Sequence, residues 1–251
     1  KAEIVKPYYY SVYLADYDVT TEITTTERAA HFQITFPENE QSSIVIDAFD
    51  KGSYIKIIPS ENKIIGYTTR NSEGVPDNFK NYFVLLFDKI LEKNKLELTN
   101  DHVGAVVGFR TKKGEKINVK VASSFISFEQ AELNLVTELG IASFEQTMTD
   151  SKNEWNKVLG KLAVEGGSDE QLQTFYSCLY RTVCFPQKHY EIDAAGKIVH
   201  YSPYNGKVLP GYMYAGTGFW DTFRALYPLL NLVYPSINKE MQEGLINDYK
   251  E

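Results

Sequence analysis

One segment of the sequence combines residue types that could bind a sugar. It spans residues 216–224 and has the sequence Gly-Thr-Gly-Phe-Trp-Asp-Thr-Phe-Arg. Its two glycines free the backbone just before a predicted helix, so the side chains of the first turn can face a cavity. Trp220 offers a flat apolar face to the C–H face of a sugar ring, and Asp221 can accept hydrogen bonds from vicinal hydroxyls. Spacing alone leaves open, and slightly favours, a core position for Trp220, with Asp221 as a helix-start carboxylate.

Arg224 follows Asp221 by three residues, which is the spacing of a neighbouring pair on a helix. Such a pair could orient the carboxylate toward a ligand. An ordinary surface ion pair fits the same spacing equally well and would contribute only about 0.3–0.5 kcal/mol. The spacing therefore does not decide the role of Arg224.

Four residues between 189 and 200 invite interpretation as a metal site: His189, Glu191, Asp193 and His200. Their spacing fits neither a compact zinc signature nor the regular oxygen ligands of an EF-hand. A solvated hairpin tip at residues 193–196 is the better interpretation. No metal ligands are therefore predicted in this chain. Phosphate-binding glycine loops, nucleophile elbows and paired-histidine zinc helices are absent from the sequence.

The composition excludes several classes of partner. The chain has 251 residues, of which 43% are hydrophobic, and its formal net charge is -7 without a basic stripe, so nucleic acid is not an expected partner. No run of about 18 apolar residues occurs, which argues against a membrane span. The first ten residues lack the pattern of a signal peptide, so either the mature chain starts there or the true N-terminus is missing. Cys178 and Cys184 are too far apart on a predicted helix to pair, and we expect two buried thiols.

Two different hydrophobic periods divide the chain. From Tyr8 to about Ser127, apolar residues alternate in short runs separated by turn residues, which predicts an antiparallel β-sandwich of about nine strands. The predicted strands include the threonine-rich stretch 20–26 and the following runs: 32–36, 44–46, 54–58, 63–68, 81–87, 103–109 and 117–121. After Ser127, which is a plausible N-cap, the period becomes helical.

The helical part contains one long irregular stretch. Helices are predicted from Phe128 to Leu139, from near Ser143 or Asp150 to Leu162, from Ser168 to Pro186, from Phe219 to Leu230, and from Pro235 onward. Residues 187–216 are rich in Gly, Pro, Tyr and Asn and are predicted to form a loop, whose length suggests a function. The last amphipathic helix has no stop signal, so we expect the helical domain to continue beyond Glu251.

Several segments resemble glycoside hydrolase family 92, and together they cover essentially the whole chain. The most specific is the Trp-Asp-Thr-Phe-Arg block within residues 218–229. The remaining segments are residues 8–12, 22–28, 31–37 and 174–182.

The resemblance implies a calcium-dependent, inverting exo-α-mannosidase with a β-sandwich followed by an (α/α)6 barrel. The corresponding divisions are a sandwich over residues 1–126, linker helices over 127–165, and an incomplete barrel over 166–251. Carried over residue by residue, Trp220 and Asp221 would shape the subsite for the terminal mannose, with Thr222 and Arg224 as further contacts. The general acid, the general base and the main calcium ligands are expected after Glu251, so we expect the isolated chain to be inactive.

The implied partners are mannose-containing glycans and the remainder of the same polypeptide. The resemblance also implies a secreted, periplasmic or cell-surface location. Two other functions fit the residues: a non-catalytic carbohydrate-binding or structural module, and another α/α-barrel enzyme such as a disaccharide phosphorylase.

Overall fold

The structure, a computed structural model, describes residues 3–50, 52–71, 73–99, 102–215 and 218–251. It contains two compact units, Lys1–Lys152 and Asn153–Glu251. The described part of the first unit contains these strands: β1 (Glu3–Lys6), β2 (Tyr9–Leu14), β3 (Val19–Thr25), β4 (Ala29–Phe36), β5 (Asn39–Asp47), β6 (Tyr54–Ile58), β7 (Lys63–Thr68), β8 (Asn81–Phe87), β9 (Lys93–Thr99), β10 (His102–Thr111) and β11 (Glu115–Ser124). A short 3-10 helix, Pro59–Glu61, connects β6 to β7.

The strands form two antiparallel sheets, as the alternating pattern predicts. The larger sheet has the order β1-β2-β3-β4-β11-β8-β7-β6, and the smaller has the order β5-β10-β9. In the larger sheet, Ile117 lies opposite Ile34 on the neighbouring strand. Each predicted run forms all or part of a strand, and β1, β2 and β9 are additional.

The apolar faces of the two sheets share one core, which makes the unit a β-sandwich. Ile64 and Ile117 from the larger sheet and Val107 from the smaller sheet are completely buried. Phe87 and Phe109 meet across the sheets with ring centroids 6.1 Å apart. Full burial of a side chain of this size contributes roughly 1.5–3 kcal/mol, so this core is the main source of stability.

Two helices follow the sandwich strands. Helix α1 (Phe128–Glu138) begins at the predicted cap, where Ser127 accepts a hydrogen bond from the Gln130 backbone N–H. Its buried side chains Ala131 and Leu135 form a second apolar cluster with residues of the larger sheet. Helix α2 (Phe144–Leu159) passes from the first unit into the second and ends three residues before the predicted Leu162.

The second unit combines helices with a small sheet. Its further elements are α3 (Asp169–Val183), β12 (Tyr190–Ile192), β13 (Ile198–Tyr201), β14 (Val208–Pro210), α4 (Phe219–Thr222), α5 (Leu226–Val233) and α6 (Pro235–Lys250). The predicted cap of α3 is confirmed, because Ser168 and Gln171 form a reciprocal capping box. Tyr190, Tyr214, Leu230, Tyr234 and Met241 form the buried apolar cluster of this unit.

Three predictions for the second unit are wrong. The stretch 187–216 was predicted as a loop, but its described residues contain the three-stranded sheet β12-β13-β14. The single helix predicted from Phe219 is divided into α4 and α5. Pro228 lies in the first turn of α5, where its missing N–H needs no partner, whereas a helix continuous from Phe219 would lose the hydrogen bond to the carbonyl of Arg224. Cys178 and Cys184 are unpaired and exposed rather than buried.

None of the helices in the described ranges has both the length and the apolar character needed to traverse a lipid bilayer.

Candidate functional site

The candidate sugar-binding residues lie on α4 and the residues that flank it. Gly218 precedes the helix with an extended backbone, and its carbonyl accepts hydrogen bonds from the Asp221 N–H and the Thr222 hydroxyl, each at 3.0 Å. The Thr222 hydroxyl proton is thus engaged within the turn. Gly216 and Thr217 of the predicted motif lie outside the described residues.

Trp220 and Asp221 both face solvent. Trp220 is 80% exposed and so does not take the core position that the spacing allowed, whereas Asp221 is exposed in the first turn of α4, where a helix-start carboxylate would lie. A Cβ added to Gly218 would lie 3.2 Å from Asp221 Oδ2 and 3.8 Å from Trp220 Nε1. The carboxylate and the indole N–H edge therefore both lie next to Gly218, a residue without a side chain.

Aromatic stacking joins α4 to the next helix. The rings of Phe219 and Tyr227 are nearly parallel, with centroids 5.4 Å apart. Tyr227 in turn packs against the buried cluster of the second unit. This contact holds the turn that carries Trp220 and Asp221 against a packed element.

Arg224 takes a different position from the one that would orient Asp221. Its guanidinium carbon lies 5.2 Å from the ring centroid of Phe223, in a cation–π arrangement. The structure therefore brings Trp220 and Asp221 together and directs Arg224 to a neighbouring aromatic ring.

Of the four polar residues that invited a metal interpretation, Asp193 and His200 form side-chain hydrogen bonds, and Glu191 is buried. Asp193 accepts from the backbone N–H groups of Ala195 and Lys197, which builds the predicted hairpin tip. His200 is fully buried, with Nδ1 2.8 Å from the Gly211 carbonyl oxygen and Nε2 3.0 Å from a Glu251 carboxylate oxygen. Burial lowers the pKa of His189.

A calcium centre does not fit the described residues taken by themselves. Calcium takes six to eight oxygen ligands, of which carboxylates are the usual charged members. Within the described ranges, no three His, Cys, Asp or Glu side chains converge in a way that could hold a metal ion. Calcium is therefore an expectation from the family resemblance alone.

A carboxylate and two phenols form a further cluster that the sequence patterns did not indicate. Glu240 on α6 accepts hydrogen bonds from Tyr214, at 2.9 Å, and from Tyr190, at 3.3 Å. Burial, followed by the neighbouring Tyr190 and Glu240, raises the pKa of Tyr214 far above its usual range, so its hydroxyl remains a donor. The only sequence signal in this region is its richness in tyrosine. Glu240 by itself resembles any other surface residue of an amphipathic helix.

Two family models together account for nearly all of the chain. The glycosyl hydrolase family 92 N-terminal domain matches residues 1–124, and the glycosyl hydrolase family 92 catalytic domain matches residues 130–251. The chain belongs to glycosyl hydrolase family 92. Its sandwich is the N-terminal domain of this family, and its later helices are the start of the helical barrel domain.

Solved family 92 structures from Bacteroides thetaiotaomicron match the whole chain. An inverting mannosidase is 41% identical, with a TM-score of 0.96. An α-mannosidase in complex with mannoimidazole is 26% identical, with a TM-score of 0.88. Each comparison covers 100% of this chain and 35% of the mannosidase chain, so this chain spans about a third of their length.

Two further proteins match this chain less extensively or at lower identity. An uncharacterized secreted glycosidase of Arthroderma benhamiae is 32% identical over 78 residues, which are 30% of this chain and 10% of that protein. A human-microbiome protein assigned as a kojibiose phosphorylase covers 88% of this chain with a TM-score of 0.52, the match extending over 31% of its own length. At 15% identity, the second likeness concerns the fold alone.

Proposed function

We propose that this family 92 chain is part of an inverting exo-α-mannosidase that removes terminal mannose from glycans. The observation that carries the proposal is the exposed pair of Trp220 and Asp221 above Gly218. An apolar aromatic face beside a carboxylate matches a sugar ring, which has C–H faces and hydroxyl edges. The mannosidase descriptions of the solved relatives support mannose as that sugar.

In this proposal the described residues bind the sugar and do not transfer protons. The Trp220 ring covers one face of the terminal mannose, and Asp221 accepts hydrogen bonds from two adjacent hydroxyls. A hydrogen bond to a charged group contributes about 1.5–3 kcal/mol, so Asp221 has the larger effect on orientation. Inversion needs a general acid and a general base about 6.5–9.5 Å apart, with water between them, and we place both outside residues 1–251.

Calcium dependence and an extracellular or periplasmic location belong to the same proposal. Calcium would assist in binding and distorting the mannose, with its main ligands outside this chain. The word "secreted" in the name of the fungal relative supports export.

The proposal is tested with the complete gene product that contains this chain. We expect release of mannose from aryl α-mannosides in the presence of calcium and its loss with EDTA. Trp220→Ala and Asp221→Asn are each expected to lower kcat/KM at least about 100-fold, which corresponds to roughly 2.7 kcal/mol of transition-state binding. Asp169→Asn, an exposed carboxylate in the first turn of α3, is the matched control and should remain within about twofold of the wild type.

Two results would overturn the proposal. One is a folded complete product that releases no mannose from any α-mannoside. The other is unchanged kcat/KM in both site variants. Calorimetric binding of mannosides without turnover would instead favour the carbohydrate-binding module.

A further inference from the structure

Residues 212–215, which lead to the candidate subsite, are attached to α6 by side chains. Tyr214 is 8% exposed and donates its hydroxyl to Glu240 at 2.9 Å. Two residues earlier along the chain, the Tyr212 carbonyl accepts from the Asn247 side-chain amide at 2.8 Å. Glu240 and Asn247 lie two turns apart on α6, so the helix holds this segment at two points.

The same segment is also held from its other side. The Ala215 N–H donates to the Gln187 carbonyl at 2.8 Å, and the His189 N–H donates to the Met213 carbonyl at 2.9 Å. Tyr190, which follows directly, packs its ring against that of Tyr214 and donates to Glu240 as well. The Glu240 carboxylate therefore accepts hydrogen bonds from both of these backbone segments, from Tyr190 in one and from Tyr214 in the other.

The attached segment immediately precedes the candidate subsite in the sequence, so its placement affects that of the subsite. Ala215 precedes Gly218 by only three residues, and Gly218 is the residue over which Trp220 and Asp221 lie. A shift of Tyr214 would be transmitted over a very short length of chain. Because Tyr214 and Tyr190 are both buried and donate to the same carboxylate, removal of that acceptor would break both hydrogen bonds to α6 and favour such a shift.

We propose that Glu240 is a positioning residue that sets the placement of the Trp220–Asp221 subsite through Tyr214 and Tyr190. Glu240 itself touches no sugar in this arrangement. The inference rests on the proposed function for the identity of the ligand, whereas the placement of the segment can be measured without any ligand.

The experiment compares Glu240→Ala with Glu240→Gln in the complete gene product. The alanine variant loses the acceptor on α6 that the two phenols share, whereas the glutamine carbonyl can accept from both. We expect Glu240→Ala to raise KM for an aryl α-mannoside about tenfold while kcat changes less than about threefold, because sugar binding is weakened uniformly. Glu240→Gln should remain within about twofold of the wild type. Glu243→Ala, on the exposed side of the same helix, is the control for loss of a carboxylate.

A second measurement distinguishes a positioning role of Glu240 from a purely stabilising one, and it does not depend on the proposed function. Hydrogen–deuterium exchange of the peptide covering residues 212–224 should be faster in Glu240→Ala and unchanged in Glu240→Gln. If the wild type hydrolyses no mannoside, the proposed function fails, and the exchange rates still decide the positioning role. A lowered melting temperature with unchanged KM and unchanged exchange would overturn the positioning role.

A milder variant covers the case in which Glu240→Ala does not fold. Tyr214→Phe keeps the ring and removes one of the two hydrogen bonds. We expect about a threefold rise in KM and faster exchange of the same peptide. Wild-type values for both would overturn the proposal.

Discussion

His31 is a buried titratable residue whose surroundings favour its neutral form. It is 2% exposed, and its ring meets that of Phe144 edge-on at 5.5 Å. The Thr147 hydroxyl donates to Ser143, which leaves its oxygen to accept from His31 Nδ1. Burial, and next the charge of Lys120, lower the pKa of His31, with Asp88 and Glu145 acting in the opposite direction.

This lowered pKa predicts acid sensitivity of the fold. Since the unfolded chain binds a proton at His31 near pH 6.5 and the folded chain does not, stability should fall as the pH drops below that value. Urea midpoints measured at about pH 7.5 and about pH 5.5 should therefore differ less in His31→Gln than in the wild type. His102→Gln, which removes an exposed histidine, is expected not to reduce the difference. An equal pH dependence in His31→Gln and the wild type would contradict the prediction.

Individual side chains were predictable from the sequence only where a local pattern fixes their surroundings. Ser127 and Ser168 were identified as caps because the capping geometry depends on the next three residues. Cys178 was assigned to the interior from its residue type. It lies instead on the stripe of α3 that also carries Thr174 and Arg181, which are exposed. Glu240 was missed because its phenol partners come from a different part of the chain.

Helix α1 is joined at its last residue to the turn between β3 and β4. Glu138 accepts hydrogen bonds from the Thr26 hydroxyl at 2.5 Å, from the Arg28 backbone N–H at 2.8 Å and from the Arg28 guanidinium at 3.2 Å. The Glu138 and Arg28 side chains are 16% and 12% exposed. Arg28 also pairs with Glu27 at 3.0 Å, so loss of the Glu138 carboxylate breaks these hydrogen bonds while the guanidinium keeps one ion pair.

Glu138→Ala is therefore expected to lower the free energy of unfolding by about 2 kcal/mol, the scale of lost hydrogen bonds to a charged group. Urea denaturation followed by circular dichroism measures the change. The matched control is Glu132→Ala on the same helix, whose carboxylate is 44% exposed and pairs with Lys63. We expect that control to cost only about 0.5 kcal/mol. Equal effects of the two substitutions would contradict the assigned role of Glu138.

The capping box of α3 supports a second prediction at this scale. The Ser168 oxygen accepts from the Gln171 N–H, and the Gln171 side chain accepts from the Ser168 N–H. Ser168→Ala should cost about 1 kcal/mol, measured by urea denaturation. Ser177→Ala, at an exposed position inside α3, should be neutral or stabilising by a few tenths of a kcal/mol, since alanine has the higher helix propensity. A neutral Ser168→Ala would show that the box contributes nothing.

Element types followed from hydrophobic periodicity wherever an element was long. The strands from β3 to β8 and the helices α1, α3 and α6 all have enough residues to express their period. The strands β12, β13 and β14 have three or four residues each, too few for alternation to be recognised among glycines and prolines. Strand β9 alternates Lys95 and Glu97 with apolar residues at a sheet edge, where charges protect against aggregation and also obscure the pattern.

At the scale of the whole molecule, the two units differ in how completely they bury their apolar residues. The first unit contains both the shared sandwich core and the cluster beneath α1. The described part of the second has one cluster, and its exposed apolar side chains include Trp220, Leu232 and Tyr249, as those of the first unit include Ile141. A unit that buries fewer apolar side chains gains less from folding per residue.

This asymmetry predicts different behaviour of the two parts when they are produced separately. A fragment of residues 1–162, which contains the first unit and all of α2, is expected to fold and to unfold cooperatively in urea, because both of its apolar clusters lie within it. A fragment of residues 163–251 should lack a cooperative transition, since its cluster also uses Val158 and Tyr234 donates to the Val158 carbonyl. Near-ultraviolet circular dichroism and urea titration distinguish the outcomes. Cooperative unfolding of the second fragment alone would mean that the burial of apolar side chains is a poor guide to independent stability.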